Sequence, residues 1–167
     1  MWERFKLAEP PASFLPAYDR AVLQLLERPA EPLPGVRSLI SELKRLGVPI
    51  AVASASLRAW VDATLRGLGL EDAFDATVSA SDVASAKPAP DLYLTAAARL
   101  GVAPECCLAV EDTLAGVRSA KAAGMFAVQL RAASTALPPL DEADLVLDTL
   151  EGFDFSLLAP AVPEARP

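Results

Sequence analysis

Cys107-Leu108-Ala109-Val110-Glu111-Asp112-Thr113-Leu114-Ala115-Gly116 is the stretch on which the reading of this chain turns. A short apolar run ends in two adjacent carboxylates, and a helical pattern follows from Leu114 to Ala123, closed by Gly124. An apolar run of this length between turn signals suits a strand buried on both faces of a parallel sheet. Two carboxylates at the end of such a strand repel each other and cost desolvation, so a compensating cation is expected. Mg2+ is the natural choice, a hard ion satisfied by one or two carboxylates plus substrate oxygens. The plainer alternative is that Asp112 caps the following helix and complements its dipole. This stretch alone leaves both open.

Outward from it the same alternation repeats. Strands are expected at Val48–Ala53, Phe74–Val78, Cys106–Val110, Phe126–Leu130 and Asp144–Leu147. Between and around them, helices are expected at Tyr18–Arg28, Gly35–Leu46, Leu57–Leu68, Asp91–Leu100, Leu114–Ala123 and Thr149–Leu158. Strands alternating with helices of ten to twelve residues imply βαβ units, hence an α/β fold: a three-layer, Rossmann-like parallel sheet with helices on both faces. In such sheets ligands sit beyond the carboxyl ends of the strands. The residues there are Ser54-Ala55-Ser56, Ser79 to Lys87, and Glu111-Asp112, which should converge on one edge.

Ser54, at a strand end before a helix, can donate to a phosphate oxygen, joined by the next backbone amides; alternatively Ser54 or Ser56 simply caps the helix. Lys87 lies in Ser85-Ala86-Lys87-Pro88-Ala89-Pro90-Asp91, where the prolines restrict the chain, and its ammonium could neutralise a bound phosphoryl group; alternatively it is a solvated surface lysine. A hydroxyl, a lysine and a carboxylate pair at three successive loops of one sheet edge carry more weight than each alone.

That set resembles the haloacid dehalogenase-like superfamily, in its β-phosphoglucomutase-like and phosphoglycolate-phosphatase-like subgroup. The matching stretches are Leu33-Pro34-Gly35-Val36, Ala51 to Ser56, Ser85 to Tyr93, and Val110 to Thr113 with Gly116. The resemblance implies that Ser54 and the Ala55 amide hold the transferring phosphoryl group and that Lys87 stabilises its charge. It also implies that Asp112, with Glu111, binds Mg2+ directly or through water. It divides the chain into a remnant of a helical cap (1–32) and an incomplete Rossmann-like core (33–158), and the terminal stretch with Pro160, Pro163 and Pro167 is expected to be a flexible tail (159–167).

One motif of the family is missing. Its members attack phosphorus with the first aspartate of an Asp-x-Asp pair after the first strand, and the second serves as general acid and base. No Asp-x-Asp occurs in these 167 residues. Asp148 follows a strand-like run, but it corresponds to the family's final strand and no second aspartate lies two residues on. The expectation is a truncated or mis-started phosphatase, inactive alone, lacking the central first strand. That strand would lie between Val48–Ala53 and Cys106–Val110, so these two would lose ladder partners, and the chain could pair them directly, swap with another copy, or self-associate through the unpaired edges. In its full form it is expected to be a Mg2+-dependent hydrolase of small phosphorylated metabolites. A non-catalytic domain that keeps phosphate or Mg2+ contacts, or only the fold, stays open beside it.

Composition narrows the rest. A net charge of −7 argues against nucleic-acid binding, which wants a basic face. No apolar stretch reaches the length that spans a bilayer, so no membrane association is expected. Met1-Trp2-Glu3-Arg4-Phe5-Lys6 lacks a signal-peptide hydrophobic region, and a cytoplasmic location is the expectation. Without histidine, no Ser-His or Cys-His triad can form, and Cys106 and Cys107 have no partners for a zinc site.

Overall fold

The computed structural model describes residues 11–132 and 138–158. Five helices and five strands follow one another in it: α1 Pro11–Leu26, α2 Val36–Arg45, β1 Ala51–Ala53, α3 Arg58–Leu68, β2 Ala76–Val78, α4 Asp91–Leu100, β3 Leu108–Glu111, α5 Leu114–Ala122, β4 Phe126–Leu130 and β5 Leu145–Leu147. All strand pairs are parallel, and β1 Ala51 to Ala53 lie opposite β2 Ala76 to Val78. Leu108 to Glu111 lie opposite Phe126 to Gln129, and Val128 to Leu130 opposite Leu145 to Leu147.

The alternation of side chains across each strand explains the three layers. Val52 packs with Val61 and Leu65 of α3 and Ile40 of α2. Its neighbours Ala51 and Ala53 instead meet Leu92 and Ala96 of α4. In the other half, Ala109 and Ala127 pack with Val117 and Ala120 of α5 and Ala97 of α4. Leu108 and Leu130 pack against the opposite layer, with Leu39 of α2, Leu150 and Phe153. Val36, Ile40 and Leu39 form the apolar face by which α2 spans both halves, Val36 joining both clusters.

The sheet is nevertheless in two pieces. β1 pairs only with β2, and β3 pairs with β4 and not with β1, among the described residues. Both pieces lie between the same helical layers, and a cavity of about 360 Å3 is walled by Ile50, Ala51 and Ala53 on one side and Leu108, Ala109 and Val110 on the other. The edges that the sequence expects to lose their partners are these two, and the structure does not bring them together.

Several boundaries differ from expectation. Helix α1 begins at Pro11, seven residues before the expected Tyr18, and carries Pro16 inside it. It docks on α3, with Tyr18 and Trp60 ring centroids 6.0 Å apart and the Ala30 N–H donating to the Gly67 carbonyl. The strand expected from Cys106 starts at Leu108, because Pro104–Cys106 form a 3-10 turn. No α-helix covers Thr149–Leu158: Gly152 takes a left-handed φ of 71°, Asp154 turns the chain by accepting from the Ser156 N–H, and only Phe155–Leu158 coil, as a 3-10 helix. Gly35, at the start of α2, has φ 88°, and a Cβ there would lie 2.4 Å from the Leu150 carbonyl carbon. That contact accounts for glycine in Leu33-Pro34-Gly35-Val36. The expected cap boundary at residue 32 falls between α1 and α2. The readings of residues 1–10 and of the tail 159–167 lie outside the described residues. No helix among the described residues is long and apolar enough to cross a membrane.

Depressed carboxylates tie the periphery together. Asp82 accepts hydrogen bonds from the Ser79 hydroxyl and N–H and pairs with Arg58 and Arg99, and these contacts hold its carboxyl far below the usual range. Asp144 is lowered by the Ala127 N–H and by Lys121. Groups whose folded pKa lies below the unfolded value stabilise above the unfolded value and lose that contribution as pH falls through the folded one. Urea unfolding midpoints should therefore hold steady from neutral pH down to about 5 and fall below about 4. Asp144→Asn should flatten that decline; a midpoint independent of pH down to about 3 would contradict the assignment.

Candidate functional site

Parallel strands bring their carboxyl ends to one edge, so the loops after β1, β2 and β3 meet. There a second cavity, of about 310 Å3, is lined by Ser54, Ala55, Lys87, Glu111 and Asp112, with Leu33 at its wall. The five residues singled out in the sequence share this hollow.

Ser54 is fixed by its backbone N–H, which donates to the Val78 carbonyl at 2.9 Å, and its Oγ accepts from the Ser56 N–H at 3.2 Å. It does not cap α3. The capping position is Leu57, which makes no side-chain cap. Ser54 therefore forms the turn at the cavity wall instead, and Ala55 beside it is exposed.

Lys87 is no solvated surface lysine, since its side chain is only 13% exposed. Its loop is held at three points. The Ser85 N–H donates to Asp91 Oδ2, the Ala89 N–H donates to the Ala86 carbonyl, and the buried Ser119 hydroxyl of α5 donates to the Ala89 carbonyl at 2.6 Å. The Lys87–Pro88 peptide is cis. From this loop Nζ reaches the Ala53 carbonyl at 3.0 Å and Glu111 Oε1, bridging the ends of β1 and β3.

Glu111 and Asp112, adjacent in sequence, differ sharply in surroundings. Glu111 is buried, and its Oε1 accepts from both Lys87 Nζ and the Tyr93 hydroxyl. Its other oxygen lies against Gly116, where a Cβ would stand 1.8 Å away. The cation that compensates this carboxylate within the chain is Lys87. Burial first, then the Glu111 charge, push the Tyr93 hydroxyl well above the usual phenol range, so it stays a donor. Asp112 is exposed, and it is not the helix cap: Thr113 holds that position, its Oγ1 accepting from the Gly116 N–H at 3.1 Å. Asp112 is thus left at the cavity with no capping duty. No group of three or more potential metal-ligating side chains occurs among the described residues. Asp148 lies just past β5, two strands from β3, and pairs with Arg131 at 3.3 Å.

Tyr93 and Ser119 are the residues that sequence reasoning left without a role. Both lie at ordinary positions on helical patterns, although Tyr93 also closes the Ser85 to Tyr93 stretch that carries the resemblance.

Residues 2–124 match the profile of haloacid dehalogenase-like hydrolases. The chain belongs to that family. It is 40% identical over 130 residues to a beta-phosphoglucomutase of Bacillus subtilis, covering 78% of this chain and 55% of that protein. It is 44% identical over 111 residues to the fructose-1-phosphate phosphatase YqaB of Escherichia coli, covering 66% and 58%. Among solved structures, CbbY from Rhodobacter sphaeroides in complex with phosphate superposes with a TM-score of 0.78 at 32% identity, covering 87% of this chain and 67% of CbbY. The chain spans little more than half the length of these curated relatives. The family and the α/β fold of parallel strands and helices are therefore as the sequence motifs implied.

Proposed function

We propose that this chain carries the phosphate-holding and metal-binding half of a Mg2+-dependent phosphatase site for small phosphorylated metabolites. The attacking aspartate would come from a strand not contained in these 167 residues. The observation that carries the reading is the 310 Å3 cavity at one sheet edge where Ser54, Lys87 and Asp112 meet. A phosphoryl group there would accept hydrogen bonds from the Ser54 hydroxyl and the Ala55 amide, with Lys87 meeting its charge. Among these residues Asp112, exposed and with no capping duty, is the carboxylate left to hold Mg2+, directly or through water, while Glu111 is taken up by Lys87 and Tyr93. When bound, Mg2+ neutralises charge on the transferring phosphoryl oxygens.

Two observations support a strand from elsewhere. The chain has no Asp-x-Asp. The open edges of β1 and β3 flank an apolar cavity that ends where Lys87 bridges them. A parallel strand in that gap would satisfy both edges and bring a terminal carboxylate beside the phosphate cavity. The sugar-phosphate names of two relatives support the substrate class, and the phosphatase of the two supports hydrolysis as the reaction. The free thiols of Cys106 and Cys107 suit a reducing, cytoplasmic setting.

With p-nitrophenyl phosphate and Mg2+, the chain alone should not turn over. A chain extended at its N-terminus by an apolar strand ending in Asp-x-Asp should, and Asp112→Asn should abolish that turnover. Calorimetry on the unextended chain gives an independent measure: Asp112→Asn should weaken Mg2+ binding by at least roughly tenfold. An extended chain that binds phosphate but hydrolyses nothing would favour the non-catalytic domain instead.

A further inference from the structure

We propose that Tyr93 is a positioning residue of the site: its hydroxyl holds the Glu111 carboxylate against Lys87, fixing the ammonium at the phosphate cavity and leaving Asp112 as the carboxylate that faces it. The role of Lys87 in phosphate binding rests on the function proposed above; the geometry of the Tyr93–Glu111–Lys87 cluster does not.

Two donors converge on one oxygen, and a third contact joins the donors to each other. Glu111 Oε1 accepts from Tyr93 Oη and from Lys87 Nζ, and Nζ itself lies 5.0 Å from the centre of the Tyr93 ring. Tyr93 is 7% exposed and belongs to the apolar cluster of Ala97, Ala109 and Val117, so its ring cannot swing away without disrupting that packing. A carboxylate with a lysine alone could rotate about its terminal bonds and turn toward solvent and Asp112. A second donor of fixed position, on the same oxygen, removes that freedom. The phenol thus selects one rotamer of Glu111, and Glu111 in turn selects one position for the ammonium. The division of labour between the adjacent acids follows: one is committed to the lysine, the other remains for a cation.

Tyr93→Phe removes the hydroxyl and keeps the ring, its packing and its face toward Nζ. Two measurements on the full chain test the proposal. The first is the NMR signal of the 15N-labelled Lys87 ammonium, which is visible when the group is held away from water. It should be sharp in the unaltered chain, broadened or lost in Tyr93→Phe, and lost in Glu111→Gln. The second is inorganic phosphate affinity by calorimetry, which should fall severalfold in Tyr93→Phe because the ammonium is no longer held at the cavity, while the unfolding midpoint drops only by the modest amount that losing one internal hydrogen bond to a charged group brings. A Lys87 signal unchanged by Tyr93→Phe would overturn the positioning role. Failure of the unaltered chain to bind phosphate, with the signal still dependent on the hydroxyl, would instead sink the functional reading and leave the positioning intact.

Discussion

Lys87→Met should destabilise the fold by about 3–5 kcal/mol, the cost of breaking a buried pair by removing one partner. The Glu111 side chain is only 7% exposed and that of Lys87 13%, so water screens the pair little. Methionine keeps most of the length and apolar stem of lysine, and its thioether can rest on the Tyr93 ring, so packing is not what is lost. What remains is a carboxylate with only Tyr93 and a long contact from Thr113 to satisfy it. The Ala53 carbonyl loses its donor in the same step, and with it goes the bridge between the ends of β1 and β3. Urea unfolding at neutral pH measures the effect. Adding Glu111→Gln to Lys87→Met should recover most of the loss, because the orphaned charge goes with it. A loss below about 1 kcal/mol would mean that the pair behaves as an exposed one.

Much of this arrangement was legible in the sequence, for a topological reason. Parallel strands send their following loops to one edge, so Ser54, Lys87 and the acidic pair could be brought together from their positions after three apolar runs. What could not be read was how the acidic pair divides. Sequence adjacency treats Glu111 and Asp112 as equivalent, whereas the structure turns one into the core and leaves the other at the cavity. That choice depends on Tyr93 and Lys87, which lie 18 and 24 residues away from Glu111. The cap alternatives failed for local reasons: Thr113 and Leu57 take the capping positions that Asp112 and Ser54 were weighed for. Helix periodicity misjudged 149–158 because Leu150 and Phe153 anchor to the core from an irregular chain, and a spacing of three looks helical whether or not a helix supplies it. It also began α1 too late: Pro11 stands at the first helical position, which tolerates proline, but the helix runs on through Pro16, which lies beyond the first turn and gives no helical signal in the sequence. The open edges of β1 and β3 fall at the two strands between which the resemblance places the absent first strand.

Gly116→Ala should also be strongly destabilising, by about 2–4 kcal/mol, against the sign that helix propensity alone would give. Gly116 is the third residue of α5, and alanine in a helix interior is ordinarily better than glycine by roughly 0.5–1 kcal/mol. Here the added methyl would stand 1.8 Å from Glu111 Oε2 and 2.1 Å from its Cδ. The end of a glutamate is flexible and could normally step aside at little cost. This one is held on its other oxygen by Lys87 and Tyr93, so moving it means giving up the pair that Lys87→Met removes. Loss of the pair outweighs the propensity gain several-fold, and phosphate affinity should fall along with stability because Lys87 is no longer fixed. The background decides between this cause and a general intolerance of α5 to substitution. In a Glu111→Ala chain the methyl meets no carboxylate, and Gly116→Ala should then become neutral or mildly stabilising in urea unfolding. If it remained destabilising there, the glycine would be required by something other than the glutamate, and the reading of Glu111-Asp112-Thr113-Leu114-Ala115-Gly116 as one packed unit would fail.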